Sequence, residues 1–263
     1  MIDSKARQEI EHRLKQVEID ENVKILMAIE SGSRAWGFAS PNSDYDVRFI
    51  YVRPRDWYLS IDVEDRRDVI EYPIVDDIDL NGWDIRKALR LFWKSNPSFI
   101  EWIQSPITYI ESGSFRQNVI ELLPKIYSVE KGMYHYLNMA KSNYREHMKE
   151  KNVRIKKYFY VLRALLNIRW LETNQTVAPI EFERLLTLLE DEELLSTIRA
   201  LLARKKVVSE KGLGPAVPLI NNFIEKEIER YQSRGFESLQ SERDTVDLNI
   251  LFQQVLGESE KNL

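Results

Sequence analysis

The chain has 263 residues, 43% of them hydrophobic and 30% charged, with a formal net charge of -4. That is enough apolar material for one large core or two smaller ones, and too little positive charge for nonspecific nucleic-acid binding over the whole surface. There is no cysteine, and the three histidines (His12, His135, His147) are scattered, so disulfides, thiolate catalysis and cysteine-ligated zinc are excluded and any metal has to sit on oxygen ligands.

In chain order, the spacing of Ile10, Leu14, Val17 and Ile19 predicts an amphipathic helix over 4–19. Residues 24–29 form a short apolar run that suits a buried strand ending in a Glu30-Ser31-Gly32-Ser33 turn. Residues 44–52 alternate, with Tyr45, Val47, Phe49 and Tyr51 on one face of a second strand and Asp44, Asp46 and Arg48 on the other. Two further strands, 68–74 and 78–85, are expected to pair through the polar turn 75–77. Helical period takes over after Asp84 and stops at Asn96-Pro97. From residue 114 only helical patterns are found, over 115–123, 129–150, 153–173, 179–190, 191–205, 216–232 and 245–256. The expected class is α+β, a small mixed sheet over 1–112 followed by an all-helical domain over 113–263. The N-terminus has no apolar signal core and no run approaches the ~20 residues that span a bilayer. A cytoplasmic protein without membrane contact is expected.

The chemistry concentrates in residues 31–48. Aspartates two apart on a strand project to the same side, roughly 7 Å apart, so Asp44 and Asp46 can reach common divalent cations. Gly32-Ser33 stands at the end of the preceding strand, where glycine permits close approach of backbone to a phosphate and serine adds a hydroxyl donor. No Gly-Lys-Ser/Thr loop and no Gly-x-Gly-x-x-Gly fingerprint occurs, which removes P-loop and Rossmann readings.

Gly32-Ser33, ten residues and then Asp44-Tyr45-Asp46-Val47 resembles the signature of the DNA polymerase β nucleotidyltransferase superfamily. The fuller strings, Gly-Ser-Arg-Ala-Trp-Gly-Phe from Gly32, Ser-Asp-Tyr-Asp-Val-Arg from Ser43, residues 80–89 and residues 156–163, resemble its YcgL-like branch, associated with RNA repair. The resemblance implies a transfer of a nucleoside monophosphate from a nucleoside triphosphate, ATP among the candidates, to an acceptor hydroxyl. Three carboxylates would hold two magnesium ions, with manganese as a substitute, and Gly32-Ser33 would hold the β and γ phosphates. Asp44 and Asp46 are two of the three ligands. The third comes from a neighbouring strand: Asp84, between Trp83 and Ile85 and inside the resembling string, is favoured over Asp79, between Ile78 and Leu80. Arg34 and Arg48 have two readings, phosphate binding or an internal salt bridge to the aspartates. Trp36 and Phe38 stack on a base or belong to the core.

Between Lys131 and Arg169 ten lysines and arginines face two glutamates, Glu146 and Glu150, a local positive patch that attracts phosphates of a triphosphate or of RNA. Lys156, Tyr160 and Arg163 share one helix face, and with Lys157 they are expected to form the second wall of a nucleotide cleft. Arg163, among leucines, requires an anionic partner if buried. The acceptor is an RNA 3′ end, a protein side chain or a small-molecule hydroxyl. The competing reading is a catalytically idle protein of the same fold that binds nucleotide or RNA or neutralises a toxin. The terminal helix, with Val246, Leu248, Ile250, Leu251, Phe252 and Val255, is expected either to dock on the domain or to mediate dimerisation.

Overall fold

The computed structural model describes residues 2–148, 150, 152–207, 212–236 and 243–260. The chain begins with α1 (Ser4–Glu21), whose first turn is capped by Asp3 accepting from the Lys5 and Ala6 amides, and continues into β1 (Lys24–Glu30). A single turn, α2 (Gly32–Ala35), precedes β2 (Tyr45–Val52), the short α3 (Arg55–Tyr58), β3 (Val69–Glu71) and β4 (Ile78–Asp84). Then come α4 (Ile85–Trp93), α5 (Pro97–Gln104), β5 (Thr108–Glu111) and α6 (Phe115–Ile126). The remainder consists of α7 (Val129–His147), β6 (Asn152–Arg154), α8 (Ile155–Asn174), α9 (Phe182–Leu186), α10 (Glu192–Val207), β7 (Leu213–Pro215), α11 (Pro218–Arg234) and α12 (Val246–Glu260).

The sheet order is β3-β4-β2-β1-β5. β1 lies antiparallel to both β2 and β5, whereas β2 and β4 run parallel. Alternation along β2 sends Val47, Phe49 and Tyr51 toward Ile10, Leu14 and Val17 of α1. Ile50 and Val52 face a second core built from α4, α5, α6 and α12. The mixed α+β class holds, and the strand-rich N-terminal half is where the alternating patterns put it.

Four elements were not expected: α5, β5, β6 and β7. Pro97 opens α5, its Asn96 cap accepting from the Phe99 amide, because proline's fixed φ suits a first helical turn as well as a stop. β5 adds an edge strand that four residues could not announce. The helical half also contains a ribbon, β6 paired with β7, made of three-residue strands too short to show alternation. α6 and α12 lie beyond residue 112 in the chain, yet Phe115, Val119, Leu248, Leu251 and Val255 are buried in the core against the sheet. The other C-terminal helices pack around α8, which is buried from Val161 to Ile168. Of the ten basic residues in the expected patch, Lys149 and Lys151 lie outside the described residues.

Candidate active site

The site forms where β1 ends and β2 begins. Gly32 has φ of +60°, and a Cβ there would collide with the Asp46 carboxylate, so only glycine lets the turn lie flush against Asp46. The Ser31 amide donates to the Asp46 carbonyl at 2.8 Å, tying the turn to the strand. Asp44 is exposed at the head of β2, and Asp46 is half-buried one pleat further on.

Parallel pairing sets Asp46 directly beside Asp79 and Val47 beside Leu80. Arg48 lies between the two carboxylates: its Nη2 is 3.2 Å from Asp46 Oδ1 and 2.7 Å from Asp79 Oδ2, while Nη1 donates to the Val47 and Asp79 carbonyls. The internal salt bridge is therefore the reading this conformation takes for Arg48. A single guanidinium nitrogen within reach of both carboxylates shows that the pair converges on one cationic position. Its all-oxygen donor set suits magnesium, which binds through one or two carboxylates and completes its shell with water and substrate phosphates. Among the described residues no three acidic or histidine side chains gather closely enough to hold a metal on their own.

Asp84, the expected third ligand, stands apart from this pair. In the register it sits opposite Tyr51, five residues from the Asp46–Asp79 pair, or about 16 Å along the strand. It is buried as the cap of α4, accepting from the Arg86 amide at 2.8 Å and from the Tyr58 hydroxyl at 2.7 Å. Burial pushes its carboxyl above the ordinary range, opposed by those two hydrogen bonds. The acid brought to Asp46 is Asp79.

Behind the cluster lies a carboxylate that pattern alone did not single out. Glu30 is fully buried; Oε1 accepts from the Asp46 amide at 3.1 Å and Oε2 from the Tyr109 hydroxyl at 2.6 Å. Burial pushes its pKa up to about 7, against the lowering effect of the Tyr109 bond. The available signal was an acid closing an otherwise apolar strand. Arg34 is 3.7 Å from Glu30, stacks on Tyr45, and donates to the Ser43 and Asp44 carbonyls at 2.6 and 3.2 Å. It braces the loop that delivers Asp44.

The helical half reaches this turn through α8. The Tyr160 ring meets Trp36 edge-on, 5.6 Å between centroids, and Phe159 packs on Phe38. Lys156 and Lys157 are half-exposed one turn earlier; burial, then the charge of Lys156, lowers the Lys157 pKa. Arg163 lies inward: it is 4% exposed, stacked 3.9 Å over Trp36, with Nη2 3.2 Å from Glu101 Oε1. Neither Nε nor Nη2 makes a well-directed hydrogen bond, so charge attraction and ring stacking hold it. Trp36 donates to the same Glu101 at 3.0 Å. Trp36, Phe38 and Arg163 thus form the joint behind the turn and leave Lys156, Lys157 and Tyr160 as its outer part. A cavity of about 480 Å³ lined by Tyr127, Glu172 and Arg234 shares no residue with this cluster.

The sequence matches the RNA repair pathway DNA polymerase beta family over residues 6–254. It is 44% identical over 247 residues to the uncharacterized protein YcgL of Bacillus subtilis (strain 168), covering 93% of this chain and 94% of that one. A crystal structure of a nucleotidyltransferase-like protein from Exiguobacterium sibiricum 255-15 aligns with 84% of this chain and 75% of its own at 10% identity, with a TM-score of 0.34. No helix among the described residues is long and apolar enough to cross a membrane.

Proposed function

Because the chain belongs to the RNA repair pathway DNA polymerase beta family, a family with a general nucleotidyltransferase role, we propose that it transfers a nucleoside monophosphate from a nucleoside triphosphate to an acceptor hydroxyl, that of an RNA 3′ end. The observation that carries this reading is the in-register Asp46–Asp79 pair set against the Gly32 turn. Asp46 and Asp79 would hold magnesium or manganese together with phosphate oxygens and water, and Asp44, at the head of β2, is the carboxylate proposed to join them once substrate is bound. When bound, such ions supply charge neutralisation of the triphosphate and of the transferring phosphoryl group.

The chain's own residues account for the rest. Gly32 brings the turn's backbone against Asp46, so that a triphosphate bound at the turn lies beside that carboxylate, and Ser33 offers a hydroxyl donor. Arg48 has to give up the position between the carboxylates, after which its guanidinium is free to pair with phosphate oxygens bidentately. Lys156 and Lys157 add positive charge on the α8 side, and Tyr160 offers an aromatic edge beside the turn. The acceptor reading rests on the family description and on the basic residues of α7 and α8; a protein or small-molecule hydroxyl remains the alternative acceptor class.

One observation favours a second reading. With Arg48 bridging Asp46 and Asp79, the chain's own guanidinium offsets one of the pair's two negative charges, as it would in a catalytically idle nucleotide- or RNA-binding protein. Incubation with each nucleoside triphosphate labelled on its α-phosphate, with magnesium and with or without total RNA, separates the cases. Label on RNA supports the proposal, label on the protein moves the acceptor to a side chain, and label on neither supports the idle reading.

A further inference from the structure

The loop joining the glycine turn to Asp44 is anchored from a distant helix. Lys205 stands on the apolar stripe of α10 with Leu194, Ile198, Leu201 and Leu202, and is only 4% exposed. A helix that needed packing alone would place a leucine or methionine there, since a buried ammonium is costly unless its donors are used. Its Nζ donates to the Phe38 carbonyl at 2.7 Å, lies 3.5 Å from Ser40 Oγ, and sits 5.3 Å from the Phe38 ring centroid. Ser40 in turn joins Ser43: the hydroxyls are 3.1 Å apart and the Ser40 amide donates to Ser43 Oγ at 3.0 Å. Ser33 Oγ donates to the same Ser43 Oγ at 3.3 Å. A connected polar chain therefore runs from the buried ammonium to the serine of the glycine turn.

We propose that Lys205 is a positioning residue for triphosphate binding, fixing through Phe38 and the Ser40–Ser43 pair the loop whose two ends are Ser33 and Asp44. The proposal rests on the reading that Gly32-Ser33 receives the triphosphate. Arg34 braces the Asp44 end of this loop through the Ser43 and Asp44 carbonyls, and Lys205 braces its middle from α10. With Lys205 gone, the loop loses its charged anchor, and Ser33 no longer has a fixed hydroxyl partner in Ser43.

The test is isothermal titration of magnesium ATP into the full chain and into Lys205→Met, Ser40→Ala and Asp84→Ala. Loss of a hydrogen bond to a charged group predicts about tenfold weaker binding in Lys205→Met, and about threefold in Ser40→Ala, where a neutral partner is lost. Asp84→Ala, less stable but remote from the turn, is expected to bind as the parent does. In steady-state assays the change should fall on KM for the triphosphate more than on kcat. Should Lys205→Met fail to fold, Ser40→Ala carries the test. Parent-like binding by every folded variant of Lys205 and Ser40 overturns the inference alone, and equal weakening in Asp84→Ala overturns it as general destabilisation. A parent chain that binds no triphosphate overturns the underlying reading and the inference with it.

Discussion

Glu30 shows at the scale of one residue how burial sets chemistry. Its folded pKa is raised from 4.5 to about 7, so between those values the folded state holds a proton that the unfolded chain has released. Stability contributed by this group is therefore greatest at the acid end and is lost as pH rises from about 4.5 to 7. Urea unfolding across that window should show this downward slope flattened in Glu30→Gln; an unchanged slope contradicts the assignment. The placement of Asp44, Asp46 and Gly32 was legible in the sequence because it is local: two acids two residues apart at the head of a strand, and a glycine where backbone must lie against a side chain. Which acid stands beside Asp46 was not legible. Asp79 and Asp84 both sit between hydrophobic neighbours, and only the parallel register of β2 with β4 decides that Asp79 meets Asp46 while Asp84 caps a helix.

At the scale of elements, the joint between α5 and α8 holds the turn from behind. The need for an anionic partner to Arg163 followed from its leucine-rich setting; that the partner is Glu101 depends on how two helices from different halves meet, which no local pattern records. Removing one member of a buried pair strands the other, so Glu101→Gln should cost about 3–5 kcal/mol in urea unfolding. The double change Glu101→Leu with Arg163→Met should cost clearly less than Glu101→Gln alone, because no charge is then left buried. A double variant that loses as much stability as the single one would show that the pair's directed contacts, rather than its mutual neutralisation, matter at this joint. β5, β6 and β7 were invisible for a simpler reason: strands of three or four residues are stabilised by their partners, not by periodicity.

Across the whole molecule, the shift in composition near residue 112 and the packing follow different lines. α12 falls within the last residues of the chain, yet Leu248, Leu251 and Val255 close the core over the face of the sheet that bears Asp46 and Arg48 at its rim. Leu251→Ala should thus lower stability by about 2–5 kcal/mol, the range for removing a buried leucine side chain. Near-UV circular dichroism during thermal unfolding should show the sheet-side tryptophans, Trp83 and Trp102, lost at lower temperature in the variant. A change under about 1 kcal/mol would mean that α12 is peripheral. Tyr160, Arg163 and Lys205 of the helical half reach the segment after the glycine turn, so the two halves meet beside the proposed phosphate position.

The central claim is that Asp46 and Asp79, brought side by side beneath the Gly32 turn, carry a nucleotidyl transfer. Its most direct measurement is the transfer of an α-labelled nucleoside monophosphate from its triphosphate to RNA, with pyrophosphate leaving and magnesium present, by the parent chain and by folded Asp79→Asn and Asp84→Asn. The account predicts transfer by the parent, a loss of at least about a hundredfold in Asp79→Asn, the scale expected when a group that stabilises transition-state charge is removed, and retained transfer in Asp84→Asn. Parent-like turnover in Asp79→Asn, or abolition of transfer in a folded Asp84→Asn, would contradict it.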